Sequence, residues 1–341
     1  MQVCEQVRDC TLTIADGVVS AQCSDGQEQW QGWQIATVQR DGYVIRLSLV
    51  DGSSVVLERF ARRTDELEPA LRRCRADGLV RLMAPPGASW LEVVPGKDAA
   101  GAPGYLYRYE DGLRWVPHEG EGFVRLYGEL DGAASDLQLY TLTLTGPFGD
   151  NTLSGLARRT TELQKEVTDR VQQARTQFAT RAAELGLPWE KELRAGAIRE
   201  HVPFAASQER LDAIEQAGSL IADERREYWA TLRAQGLIAR LVISAGEASL
   251  RVVALCPLAQ GELYEVVSEV DHASYVFASA EPVVRAWTEV GFRREPIFTD
   301  EGEFGPLRAL QAVVASLRQA RSGLVKRIVH ASVEGWRREL G

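Results

Sequence analysis

The sequence predicts an α+β protein in which tandem antiparallel-sheet modules, each closed by a C-terminal helix, precede a C-terminal α+β domain. Three observations carry this expectation. Asp-Gly pairs at Asp16-Gly17, Asp25-Gly26, Asp41-Gly42 and Asp51-Gly52 separate segments of alternating apolar and polar residues. Turn residues that tolerate positive φ between such segments are a strong short-range hairpin signal. After the strands, the apolar spacing lengthens to that of a helix, with Leu67, Ala70 and Leu71 on one face. Finally, the phrase LERFARRTDEL at residues 57–67 returns as LSGLARRTTEL at 153–163, with seven identities in eleven positions.

In chain order, residues 10–15 and 18–23 read as a first hairpin. Residues 30–38, 43–50 and 53–60 are strand-length runs rich in β-branched and aromatic residues. Thr64 is placed as the N-cap of a closing helix, so residues 1–84 form a first module, one antiparallel sheet and one helix. A proline- and glycine-rich connector follows, broken by a short strand near Trp90. Strands are then expected at 105–109, 113–116, 123–130 and 137–145, and a long polar helix at about 160–185. Residues 88–185 thus make a second module, with Leu142-Thr-Leu-Thr aligned on Leu47-Ser-Leu-Val and a turn one residue longer than in the first. Two copies of one unit, 96 residues apart, account for both.

Residues 204–341 form a third block. Residues 208–235 read as helical, followed by strands at 237–244, 249–258, 262–270 and 272–278, a helix at 282–290 and a strand at 292–298. Residues 306–339 carry Leu307, Leu310, Val314, Leu317, Leu324, Ile328 and Trp336 at helical spacing, with a break at Gly323. The block is either a divergent third copy or an unrelated α+β domain.

The run IATVQRDGYVIRLSLVDGSSVVLERFARRTDELEPALRRC resembles the second half of a pleckstrin-homology-like domain of the bacterial or GRAM type: an Ile-x-x-Val strand, an alternating strand, a turn, a short strand and a closing helix. The resemblance covers residues 7–84 and 88–185. It implies recognition modules, whose best-known ligands are lipid headgroups. Headgroup binding needs cations clustered on the first strands. Here no Lys or Arg lies between Arg8 and Arg40, and Glu110-Asp111 sits at a hairpin tip of the second copy. Phosphoinositide binding is therefore not expected.

A net charge of −9 over 341 residues also argues against nucleic acid as a partner, because phosphate neutralisation supplies most of that affinity. The N-terminus has no basic region followed by an apolar run, and a cytoplasmic protein is expected. Five cysteines, Cys4, Cys10, Cys23, Cys74 and Cys256, show no CxxC spacing and read as free thiols in a reducing compartment. No glycine-rich phosphate loop, dinucleotide turn or nucleophile elbow is present, so neither catalysis nor a cofactor is expected. His118, His201, His272 and His330 are dispersed. Adjacent Asp271 and His272 would point to opposite faces of a strand.

The candidate interaction residues are cationic. Arg62, Arg63, Arg158 and Arg159 belong to the repeated phrase, where they either meet an acidic partner or pair with Asp65, Glu66 and Glu162 as a solvated face. Lys326, Arg327 and Arg337 lie on the basic terminal segment, read as one amphipathic helix. The favoured expectation is a non-enzymatic scaffold that binds a protein partner through sheet edges and module surfaces. Peripheral membrane association through the terminal helix is second, and an enzyme site in the C-terminal domain around His272 or His330 is third.

Overall fold

The computed structural model describes residues 9–84, 88–245, 250–270, 272–290, 297 and 315–340. The expected strand at 292–298, apart from Ile297, which is helical, and the start of the expected terminal helices lie outside them. The chain is a mixed α+β protein with several antiparallel sheets. It divides into two compact units. The first runs to Glu110 and takes in Arg114–Val124, and the second holds Asp111–Leu113 and continues from Arg125.

The first unit begins with β1 Cys10–Ala15, β2 Val18–Cys23 and β3 Gly26–Gln31, then a 3-10 turn, β4 Ile35–Asp41, β5 Val44–Leu49 and β6 Ser54–Leu57. These strands form two three-stranded antiparallel sheets, β1-β2-β3 and β4-β5-β6, where one continuous sheet was expected. The break falls inside the run read as one strand at 30–38, because Gly32 starts the 3-10 turn Gly32–Gln34 and its N–H donates to Gly17 O at 2.6 Å. Helix α1, Thr64–Met83, packs Leu71 and Cys74 against Val19, Ile35, Val38, Ile45, Leu47, Leu49 and Leu57. The glycines make that approach close. A Cβ on Gly78 would lie 2.4 Å from Trp33 N, and one on Gly32 would lie 2.0 Å from Cys74 O.

Cys10 and Cys23 are directly opposite in the β1–β2 register and are joined by a disulfide, while Cys74 and Cys256 are buried free thiols. This corrects the expectation of unpaired thiols at positions 10 and 23. Cross-strand opposition, invisible in irregular spacing, brings the two together. Reduced thiols therefore no longer support a cytoplasmic assignment. Among the described residues, no helix is long and apolar enough to cross a membrane.

Strands β7 Glu92–Asp98 and β8 Pro103–Arg108 pair in antiparallel fashion. They precede β9 Gly112–Pro117 and β10 Phe123–Leu126, through which the division between units passes. In the second unit β11 Gly132–Asp136, β12 Thr141–Thr145 and β13 Asn151–Ser154 form consecutive antiparallel pairs, and α2 Arg159–Glu184 follows. Residues 137–140, read as part of a strand, form the turn between β11 and β12.

The repeated phrase repeats in conformation as well. Arg59 and Ala61 have φ of 69° and 49°, and Gly155 and Ala157 have φ of 71° and 48°. Leu57 lies opposite Ile45, and Leu153 opposite Leu142. By this register Leu142 corresponds to Ile45 and not to Leu47. The intervening turn is thus one residue shorter in the second copy, the reverse of the expected direction. Neither threonine is an N-cap. Thr64 is the first residue of α1, with its hydroxyl buried and without a hydrogen-bond partner, and Thr160 Oγ1 donates to Ala157 O at 2.9 Å.

Further along, α3 Glu190–Arg194 and β14 Phe204–Ala205 lead to α4 Gln208–Gln216 and α5 Arg226–Ala234. The single helical run expected at 208–235 is broken at Gly218, where φ is 58°. Strands β15 Arg240–Ala245, β16 Leu250–Leu258, β17 Gly261–Val266 and β18 Ala273–Phe277 precede α6 Glu281–Glu289 and α7 Ala315–Ser322. Then come β19 Leu324–Val329 and α8 Val333–Leu340. A six-stranded sheet of order β14-β15-β16-β17-β18-β19 packs Leu241, Ile243, Val252, Ala254, Leu263 and Val276 with Trp229, Leu232, Ile328 and Trp336 into one core.

Candidate functional site

The terminal segment is the largest departure from expectation. Residues 324–329, read as helix because Leu324 and Ile328 are four apart, form the strand β19. Val325, Ile328 and Val329 are β-branched and favour extended backbone, and β18 supplies a ladder for them. Among the described residues β19 is the outer strand of its sheet. Lys326 and Arg327 therefore sit on a sheet edge, and Arg337 belongs to the separate helix α8.

The ladder defines what the edge presents. His330 N–H donates to His272 O at 3.0 Å, and Ala273 and Tyr275 lie opposite Val329 and Arg327. Hydrogen-bonded and non-hydrogen-bonded pairs alternate in an antiparallel ladder. The backbone groups of Arg327 and Val329 consequently face away from β18. Val329 is 70% exposed and Val325 49% exposed. The register slips between Val276 and Phe277, which leaves Val325 as the bulged residue. The Arg327 guanidinium lies over the Tyr275 ring, 5.9 Å from its centroid. Lys326 Nζ donates to Glu339 O at 2.7 Å and lies 3.2 Å from Glu339 Oε2.

Beneath the edge lies a buried polar chain. Trp336 Nε1 donates to Ser274 Oγ at 2.9 Å, and Ser274 Oγ is 3.2 Å from His330 Nε2. His330 Nδ1 is 2.9 Å from Tyr228 Oη. The Tyr228 ring centroid is 4.9 Å from that of Trp336 and 5.1 Å from that of His330. Burial raises the Tyr228 phenol above its ordinary range, which keeps it neutral as a hydrogen-bonding group. The Arg225 guanidinium sits 4.5 Å from the Tyr228 centroid, and its Nη2 lies 2.5 Å from Glu265 Oε1 in an interior pair. Arg337 Nε donates to Thr231 Oγ1 at 3.0 Å, so it ties α8 to α5. These contacts hold β19 and α8 in place. Ser274 and His330 are a hydroxyl and an imidazole in contact, and both are buried.

The remaining sequence candidates are placed elsewhere. Arg62 and Arg63 lie in the 3-10 turn before α1, and Arg158 precedes α2. All three are exposed and have no ion pair among the described residues. Asp65, expected to pair with them, is held by Arg40 Nη2 at 2.6 Å. Arg159 does pair with Glu162, as expected, and lies 3.7 Å from Glu166. His201 is buried at a φ of 65°, where burial pushes its imidazole down to about 3. The sequence reading missed Ser274, Tyr228 and Trp336 as partners of His330, since they come from separate elements, with Tyr228 102 positions and Ser274 56 positions from His330 in the chain. No protein-family model matches the chain, and no curated protein matches its sequence.

Proposed function

We propose that this protein is a non-enzymatic interaction scaffold that takes an extended segment of a partner protein along the edge of β19 that no described strand occupies. The observation that carries the reading is the outward-facing backbone of Arg327 and Val329 on a strand with exposed apolar side chains. Strand addition draws affinity from main-chain hydrogen bonds and specificity from alternate side chains. Arg327 selects the occupant, since Lys326 is already held by Glu339. Cations and bulges on an edge discourage indiscriminate pairing, and two copies of this strand would bring like charges together. The partner segment is therefore acidic and apolar in alternation. The modules preceding the edge add surface, and Arg62, Arg63 and Arg158 are available to further acidic groups.

Selection of displayed random peptides on the folded protein tests this. An enriched consensus alternating Asp or Glu with Val, Ile or Leu is expected. Its binding should fall at least tenfold in Arg327→Glu and be abolished in Val329→Pro, which removes an outward N–H. Circular dichroism should show both variants folded. Absence of any enriched consensus, or undiminished binding by folded Val329→Pro, would refute the proposal.

The amphipathic-helix route to a membrane loses its physical basis. Lys326 and Arg327 are on a strand, and Trp336, assigned to the helix's apolar stripe, is buried beneath it.

A further inference from the structure

The turn joining β11 to β12 presents Leu137, Gln138, Leu139 and Tyr140 in succession. Leu137 is 58% exposed, Leu139 69% and Tyr140 56%. Three large apolar side chains bare within four residues are unlike the scattered exposed hydrophobics of an ordinary surface. The turn is also ordered by its own chemistry. One carboxylate oxygen of Asp136 accepts from Gln138 N at 2.8 Å and from Leu139 N at 3.1 Å. Tyr140 has a φ of 51°, a conformation unfavourable for a bulky residue, retained where surrounding structure holds it. Below the turn, Ser135 Oγ is bonded to Gln164 Oε1 at 3.1 Å, and Leu142 and Leu144 point inward to the core.

The charge pattern indicates the occupant. From Gly132 to Gly149 the only Asp, Glu, Lys, Arg or His is Asp136, and its carboxylate is used within the turn. A specific protein interface carries a polar rim around its apolar centre, whereas this stretch supplies no charge beyond the Asp136 carboxylate already used in the turn. An uncharged, exposed tip of two leucines and a tyrosine matches the boundary between headgroups and acyl chains, where charges are costly and aromatic rings are favoured. We propose that the turn at 137–140 is a membrane-inserting finger that enters the interface of a lipid surface without electrostatic attraction. It is independent of the β19 edge, and failure of either leaves the other standing.

Flotation of the full chain with phosphatidylcholine vesicles is the test. The protein should float with neutral vesicles, equally in 0.1 and 1 M salt. Leu139→Asp should reduce the floated fraction at least tenfold. Tyr140→Gly, which relieves the positive φ, should reduce it several-fold while leaving the melting temperature unchanged or raised. No flotation of the wild-type chain would overturn the proposal, as would Leu139→Asp floating like wild type. Binding confined to anionic vesicles and abolished by salt would overturn it in favour of a basic surface. Self-association in solution that Leu139→Asp dissolves, without vesicle binding, would assign the finger to a second copy instead.

Discussion

Glu129 is buried, with Oε1 accepting from Leu126 N at 3.3 Å and Oε2 without a hydrogen-bond partner. Burial pushes its carboxyl up to about 8, opposed by the Arg125 cation and reinforced by Glu289. A carboxyl whose folded value lies above its unfolded one contributes stability that is complete below the unfolded value of about 4.5 and is lost as pH rises toward 8. Each pH unit in that window corresponds to about 1.4 kcal/mol for one fully shifted group. Glu129→Gln keeps the acceptor for Leu126 N and removes the ionisation. Its stability relative to wild type, read by urea unfolding, should therefore improve by about 2–4 kcal/mol between pH 5 and pH 8. A pH-independent difference would show that Glu129 does not titrate in this window. Ser274 is a second decisive residue. Ser274→Ala strips Trp336 Nε1 of its acceptor and His330 Nε2 of its neighbour, and should cost about 1–3 kcal/mol. Thermal unfolding reports the loss, and hydrogen exchange should place the new opening in β19 and α8.

At the scale of elements, α1 is set by what it must approach. Gly78 carries the usual helical penalty of about 1 kcal/mol against alanine, yet a Cβ there would meet the Trp33 amide at 2.4 Å. Gly78→Ala should consequently destabilise by about 1–3 kcal/mol, because overpacking outweighs the gain in propensity. A rise in melting temperature would instead mean that α1 shifts freely on the 3-10 turn. Hairpins were legible in the sequence where Asp-Gly fixed the turn, and β1, β2 and β5 fall where alternation put them. Helix α1 was legible from apolar period, and α2 as a long polar stretch after the second occurrence of the repeated phrase. Strand β19 was not legible. Leu324 and Ile328 satisfy a helical spacing as well as a strand, and only pairing with β18 decides between them. The split of the run at 30–38 was equally hidden, since Gly32 reads as a strand residue until the close approach of α1 is known.

At the scale of the molecule, the first unit adds to its apolar core the Cys10–Cys23 cross-link, between residues 13 positions apart in the chain. Loss of such a link costs about 2–3 kcal/mol in the chain-entropy account. Reduction should lower protection against hydrogen exchange in the core of β1–β6 and leave β15–β18 unchanged. Unchanged protection throughout would show that the cross-link carries no stability. The sequence by itself determined the α+β class, the first hairpins and helices α1 and α2, because these follow from local periodicity and backbone preference. Tertiary structure decided the cysteine pairing, the strand identity of β19, the partners of His330 and the exposure of the finger at 137–140. Each of these depends on which distant residues lie opposite one another, a property set by packing and register that no local pattern encodes.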